Sequence, residues 1–321
     1  MRKTAAALIT LGLAALALTG CAGGPSFAGN SCPTQTGAPD FASSVAVKGD
    51  FGAAPDVTVS TPTRASKLSV DDLIVGKGTA VTSAHQPLVV DIALYSAKTG
   101  RKLVATDFNG DLSRVGDVES WASQAKGIGA ALQCATAGSR LLVGIPHAQV
   151  SDALAQGVNL AADDSVVAVM DVLKVYLPRA EGSLVYNDAL GLPTVVRAPD
   201  GRPGIIVPDA KKPSSLVVQT LLHGDGTAIT KGDAVRVQFT AVDWDTRKVL
   251  KTTWGEQSVR FTETDLGEVF DKGLVGKTVG SQVMIVVPAA DGQASSADGS
   301  GGTQVLVIDI LGIDAPSSSG Q

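Results

Sequence analysis

The chain has 321 residues, of which 44% are hydrophobic, 18% charged and only 4% aromatic, with a formal net charge of −5. That balance argues against nucleic acid or an anionic bilayer surface as the main partner, the more so once a leader removes Arg2 and Lys3. Beyond the leader no segment approaches a membrane-spanning length, so the remainder reads as soluble.

Residues 1–20 read as an export signal rather than part of the fold: Arg2-Lys3 is a basic start, Ala5 to Leu18 an apolar run too short and wrongly flanked to span. Leu18-Thr19-Gly20-Cys21 resembles the bacterial lipobox, which makes Cys21 the lipidated first residue of an extracytoplasmic protein anchored to the cell membrane. The alternative is an ordinary secretory signal with an incidental cysteine. Residues 21–49 read as the lipidated cysteine and a flexible tether, because Ala22 to Ser44 is built of Gly, Pro, Ser, Thr and Asn with only Phe27 and Phe41 bulky. Cys32 and Cys134 are a possible disulfide; outside the cytoplasm two thiols pair more often than not, but spacing leaves the pairing open.

From residue 50 the chain repeats itself. Gly76-Lys77-Gly78-Thr79-Ala80-Val81-Thr82 returns as Gly224-Asp225-Gly226-Thr227-Ala228-Ile229-Thr230, identical at five of seven positions. Each copy continues through an apolar run, an Arg-Lys turn (Arg101-Lys102, Arg247-Lys248) and a strand ending on proline (Gly138 to Pro146, Gly280 to Pro288). Each closes on a valine-rich strand, Ser165 to Val175 and Thr303 to Ile313. Blocks this long indicate two copies of one domain, 50–180 and 186–314, before a disordered tail at 315–321.

In the second copy, Leu216 to Leu222, Ala234 to Val242, Val259 to Thr262, Val283 to Val287 and Val305 to Ile310 read as strands. Val235, Val237 and Phe239 alternate with Arg236, Gln238 and Thr240, giving one buried and one wet face. The helical window is short, Asp265 to Gly273, and the first copy has its slot at Ser120 to Leu132. This is α+β architecture. Thr194-Val195-Val196 and Gly204 to Val207 read as short strands leading into the second copy.

Other chemistries find little support. His85, His147 and His223 are scattered, without a His-Glu-x-x-His or zinc-spaced cysteines, so no metal is expected. Gly224-x-Gly226 lacks the third glycine and long helix of a dinucleotide loop, and Gly127-x-Gly129 is no stronger. Asp291 to Asp298 lacks the alternating oxygens of a calcium loop. No Gly-x-Ser-x-Gly supports a hydrolase. The scarcity of helical windows speaks against a solute-binding lipoprotein made of βαβ units.

Gly224-Asp225-Gly226-Thr227 followed by Gly232-Asp233-x-Val235-x-Val237, then Val249 to Trp254, Phe270-Asp271-Lys272-Gly273-Leu274-Val275-Gly276 and Val279-Gly280-Ser281, resembles the FKBP-type peptidyl-prolyl isomerases. The resemblance covers about Leu192 to Ile313, and in degraded form about Leu73 to Val175. With the lipobox, the layout is similar to the tandem FKBP-like lipoproteins of high-GC Gram-positive bacteria. It implies two tandem FKBP-like domains, each a curled antiparallel sheet over one short helix. It also implies prolyl isomerisation without cofactor, acting on proline-containing exported polypeptides.

By the same resemblance the pocket consists of Phe239, Leu250, Phe261, Leu266, Gly267, Phe270 and Leu306, with the backbone of Leu266-Gly267 holding substrate. The loop after Pro288 has Ala289 to Gln293 and no tyrosine, and Lys251 stands where an aspartate is usual. In the first copy Ile92 and Leu103 stand for Phe239 and Leu250, and Ala131 for Gly273, so that copy reads as structural or binding. The apolar pocket residues serve equally as barrel core. A non-catalytic FKBP-like binding or chaperone lipoprotein is therefore the rival reading. Trp244 and Trp254 fall in turn or loop stretches, where an exposed aromatic binds something.

Overall fold

The computed structural model describes residues 26–32, 39–186, 189–289 and 302–315. The export signal, Cys21, the Asp291 to Asp298 stretch and residues 316–321 of the tail lie outside the described residues.

Mixed sheet and short helix is the observed architecture, and it is built twice. In the first unit the strands Ser69–Ile74, Arg140–Ile145, Val166–Val175, Leu88–Ser96 and Lys102–Ala105 lie side by side in that order, all antiparallel. The second unit repeats the order with Val217–His223, Gln282–Val287, Gln304–Ile313, Val235–Asp243 and Val249–Thr252. It adds Ser183–Leu184 at one edge and Val259–Phe261 beside Val235–Asp243. A hairpin precedes each sheet: Val45–Lys48 with Asp56–Val59, and Thr194–Arg197 with Pro203–Ile206.

Alternation decides what is buried. Val235, Val237, Phe239 and Ala241 point into one apolar cluster of the second unit, while Val242, Val305 and Val307 join a cluster on the sheet's other face. The helical windows break in two. Val118–Gln124 and Lys126–Leu132 meet at Ala125, and Glu263–Leu266 and Glu268–Gly273 meet at Gly267, whose φ of +52° and ψ of −126° suit only glycine. The single helical window expected in each domain is thus split into two short helices, and the first unit adds another at Asp152–Gly157.

The repeated glycine blocks serve the same local purpose. The Gly76 and Gly224 amides donate to the Ser139 and Ser281 hydroxyls, each at 2.9 Å, and those hydroxyls lie 3.0 Å from Thr136 and Thr278. A methyl at either glycine would overlap backbone, the Ala137 carbonyl in one and the Val279 carbonyl in the other. The motif is a seam between neighbouring segments.

Three expectations need correction. The stretch 21–49 is not tether throughout: Ser26–Phe27 pairs with Asn30–Ser31, a helical turn spans Pro39–Ala42, and Phe41 is 5% exposed in a seat that Gly144 leaves empty. Composition averages over residues and hides one well-placed ring. The second unit begins before residue 186, since the Leu177 amide donates to the Leu311 carbonyl and those of Glu181 and Gly182 to Gly280. Trp244 is buried at 4% exposure, its amide on the Thr303 carbonyl, so it is core rather than a free ring. Cys32 and Cys134 form a disulfide with Cα atoms 5.8 Å apart.

The units are locked together through Tyr176, whose hydroxyl donates to Asp314 Oδ1 at 2.8 Å while Arg236 holds the same carboxylate. Lys174 sits 4.4 Å above the Tyr176 ring and donates to the Ile313 carbonyl at 2.6 Å. Burial and the nearby Asp314 charge push the Tyr176 hydroxyl's pKa far up, so it stays a donor.

Candidate functional site

Six of the seven expected pocket residues converge in one apolar cluster of the second unit. Phe239 pairs across the sheet with Ile308, Leu306 with Ile285, and Phe270 reaches the same face from the helix above, fully buried. The Phe239 and Phe261 rings meet at 5.3 Å between centroids, tilted by 48°. Leu250, Phe261 and Leu266 are half-buried and pack around this floor, forming its rim. Gly267 stands beside them exposed, with open space where a side chain would go.

The floor is braced by groups that no sequence motif flagged. Thr253 Oγ1 accepts from the Phe239 amide at 2.9 Å and donates to Gln238 Oε1 at 2.5 Å, and the Thr253 amide returns to the Phe239 carbonyl. Both Thr253 and Gln238 are buried, so the strand carrying Phe239 is tied to the turn that carries Trp254. A buried Thr-Gln pair has no periodicity, and only the neighbouring Trp254 hinted at this turn.

The backbone at the rim is partly committed. The Leu266 amide donates to the Thr262 carbonyl at 3.2 Å and the Gly267 amide to Glu263 at 2.7 Å. These bonds close the short helix, so the expected role of this pair as substrate-holding donors does not follow from the geometry. Of the loop after Pro288, only Ala289 is among the described residues.

A concavity of about 760 Å³ lies between the units. It is lined by Trp254, Gln238, Arg179 and Arg202 from one side and by His85 and Thr82 from the other. Trp254 is half-buried there, against the Pro199 to Arg202 turn, and His85 faces Asp117 at 3.1 Å. Among the described residues no three His, Cys, Asp or Glu side chains gather to hold a metal, and no helix is long and apolar enough to cross a membrane.

Chemically the rimmed cluster offers an apolar surface without an ionisable group among its members. That suits a reaction driven by environment and unsuited to acid–base work. No protein-family model matches the chain. A probable FK506-binding protein of Corynebacterium glutamicum is 26% identical over 114 residues, 34% of this chain and 97% of that protein. Over that stretch the chain is similar to an FK506-binding protein.

The aligned length is about that of one of the chain's two units. Among solved structures, the three FKBP domains of wheat FKBP73 show 11% identity over 77% of this chain and 94% of theirs, at a TM-score of 0.35. FkpA from Escherichia coli shows 20% identity over 40% and 53%, at 0.28. A putative peptidyl prolyl cis-trans isomerase, FKBP12 from Mycobacterium tuberculosis, shows 24% over 43% and 96%, at 0.25. Likenesses at such scores carry no argument of their own.

Proposed function

We propose that this chain is a peptidyl-prolyl cis-trans isomerase made of two tandem FKBP-like domains, the second carrying the site. It acts on proline-containing exported polypeptides at the outer face of the membrane, held there by lipid on Cys21. The observation that supports this best is the apolar floor of Phe239, Phe270 and Leu306 inside a half-buried rim of Leu250, Phe261 and Leu266, on a chain similar over 114 residues to an FK506-binding protein.

Such a surface suffices for the chemistry. An X-Pro bond interconverts over tens of seconds because twisting it forfeits amide resonance. The twisted amide is less dipolar than the planar one, so an apolar cup disfavours the planar ground state relative to the transition state. Each ~1.4 kcal/mol of that difference gives a tenfold rate. The test is isomerisation of a proline-containing tetrapeptide by the full-length chain and its Leu250→Ser variant. A rate above background that falls in the variant, with both melting alike, supports the reading; no rate from the folded wild-type chain removes it.

The rival, a binding module without catalysis, draws on one observation: the Leu266 and Gly267 amides are engaged within their own helix. It expects the wild-type chain to bind the peptide and leave its isomerisation unchanged.

A further inference from the structure

The helical segments of the two units correspond residue for residue through their hydrogen bonds. The Ile128 amide donates to Ala125 as Phe270 does to Gly267, and Cys134 donates to Val81 as Gly276 does to Ile229. Ala125 therefore corresponds to Gly267, Gln124 to Leu266 and Ile128 to Phe270. Strand pairing likewise sets Ile92, opposite Met170, against Phe239, opposite Ile308, and Leu103 against Leu250. The first unit thus has an apolar face of the same plan.

At this corresponding position the two units differ in exposure. Gly267 is exposed, whereas Ala125 is only 1% exposed. Its cover is the chain's own excursion after Pro146. Val150 pairs with Ala125 as an antiparallel bridge, and the Ser151 amide donates to the Gln124 carbonyl at 2.9 Å. Ser151 then caps the helix Asp152–Gly157, which sends Leu154 and Ala155 into the cluster that holds Ile92, Leu103 and Ile128; Val158 and Leu160 follow. The excursion is not needed to close the sheet, because Ile145 already pairs with Val166 at its base.

We infer that the first unit contains a latent site for a short apolar peptide, closed by its own segment 147–160, which lies on it as a built-in occupant. The inference rests on reading the second unit's cluster as a peptide site. The segment meets the face with extended backbone only at Val150 and Ser151, where the Ser151 amide reaches the Gln124 carbonyl; Leu154, from the helix Asp152–Gly157, and Val158, at its end, then pack on the same cluster. Val150, Leu154 and Val158 are partly buried on this face, while Ala155 and Leu160 are buried in it.

The test uses the full-length chain with residues 151–160 replaced by a Gly-Ser linker of equal length, titrated with a fluorescent proline-containing tetrapeptide. The expected result is one more peptide bound per chain than in the wild type, with slower amide exchange at Ala125 and Ile128 on peptide addition. A folded linker variant that binds no more than the wild type overturns the proposal. If the linker variant does not fold, Leu154→Ser with Val158→Ser replaces it; should that also unfold, the segment is core and the proposal falls. Failure of the second-unit reading shows separately, as a wild-type chain that binds nothing while the linker variant gains its site.

Discussion

Asp171 and Asp309 occupy the same rung of their sheets, yet one faces an arginine and the other a glutamine. Asp171 is opposite Arg140, which grips it at 2.6 and 2.7 Å; Asp309 is opposite Gln282, which donates a single bond at 2.7 Å. Both carboxylates also hold the chain entering their unit, through the Gly52 amide in one and the Ala180 amide in the other. The second unit keeps the anchor without its full counter-charge.

That difference gives a pH dependence. Burial raises the Asp309 carboxyl to about 6 from 3.8, against the opposing pull of the Ala180 and Gln282 hydrogen bonds and of the more distant Arg197 and Arg179. Between pH 4 and 6 the folded chain binds the proton that the unfolded chain has released, so stability falls as pH rises through this window. The size is on the order of 3 kcal/mol, from about 1.4 kcal/mol per pH unit. Urea denaturation at pH 4.5, 6 and 7.5 should show this slope in the wild type and a flatter one in Asp309→Asn; an equal slope in both contradicts the assignment.

Arg140 is a buried cation with four acceptors: Asp171 and the carbonyls of Gly49, Asp50 and Ala53. Arg140→Gln, which copies the second unit, should cost about 3–5 kcal/mol because it strands a buried carboxylate. Amide exchange should quicken first at Gly52, whose partner loses its orientation. A loss below about 1 kcal/mol would place the ion pair among contacts of little consequence.

The repeated glycine seam makes a paired forecast. Gly76→Ala and Gly224→Ala each drive a methyl into the facing backbone, so both should destabilise by about 1–3 kcal/mol or more. Thermal melts of the two variants measure this directly, and tolerance of either would break the equivalence of the two seams.

Much of this was legible beforehand because it was forced by sterics and period. The glycine blocks signalled two units because no other residue fits their seam, and the Val235-Val237-Phe239 alternation fixed the inward face. What stayed hidden depends on single long-range contacts. Phe41 looked like a stray ring in a polar tether until Gly144 supplied its seat. Trp244 looked like a loop residue because its backbone hydrogen-bond partner, Thr303, lies far along the chain. The covering of Ala125 by Val150 could not be read, since a bridge of one residue pair leaves no pattern.

The disulfide should matter to the ordered N-terminal segment most. Cys32 and Cys134 are 102 residues apart, a loop whose closure is worth about 4–5 kcal/mol in the chain-entropy account. Cys32→Ser should lower the urea midpoint and release the Ala28 amide from the Thr82 carbonyl. An unchanged midpoint would mean that packing around Phe41 and Val45 alone holds this part of the chain.

The most direct test of the central claim is the isomerisation rate of the full-length chain beside Phe261→Ala. This change removes a half-buried wall that touches Phe239 but leaves the floor at Phe270 in place. The account expects catalysis by the wild type and at least a tenfold loss in the variant, about 1.4 kcal/mol of transition-state stabilisation, with the fold retained. A wild-type rate that survives the substitution unchanged would contradict it, because catalysis would then lie outside this cluster.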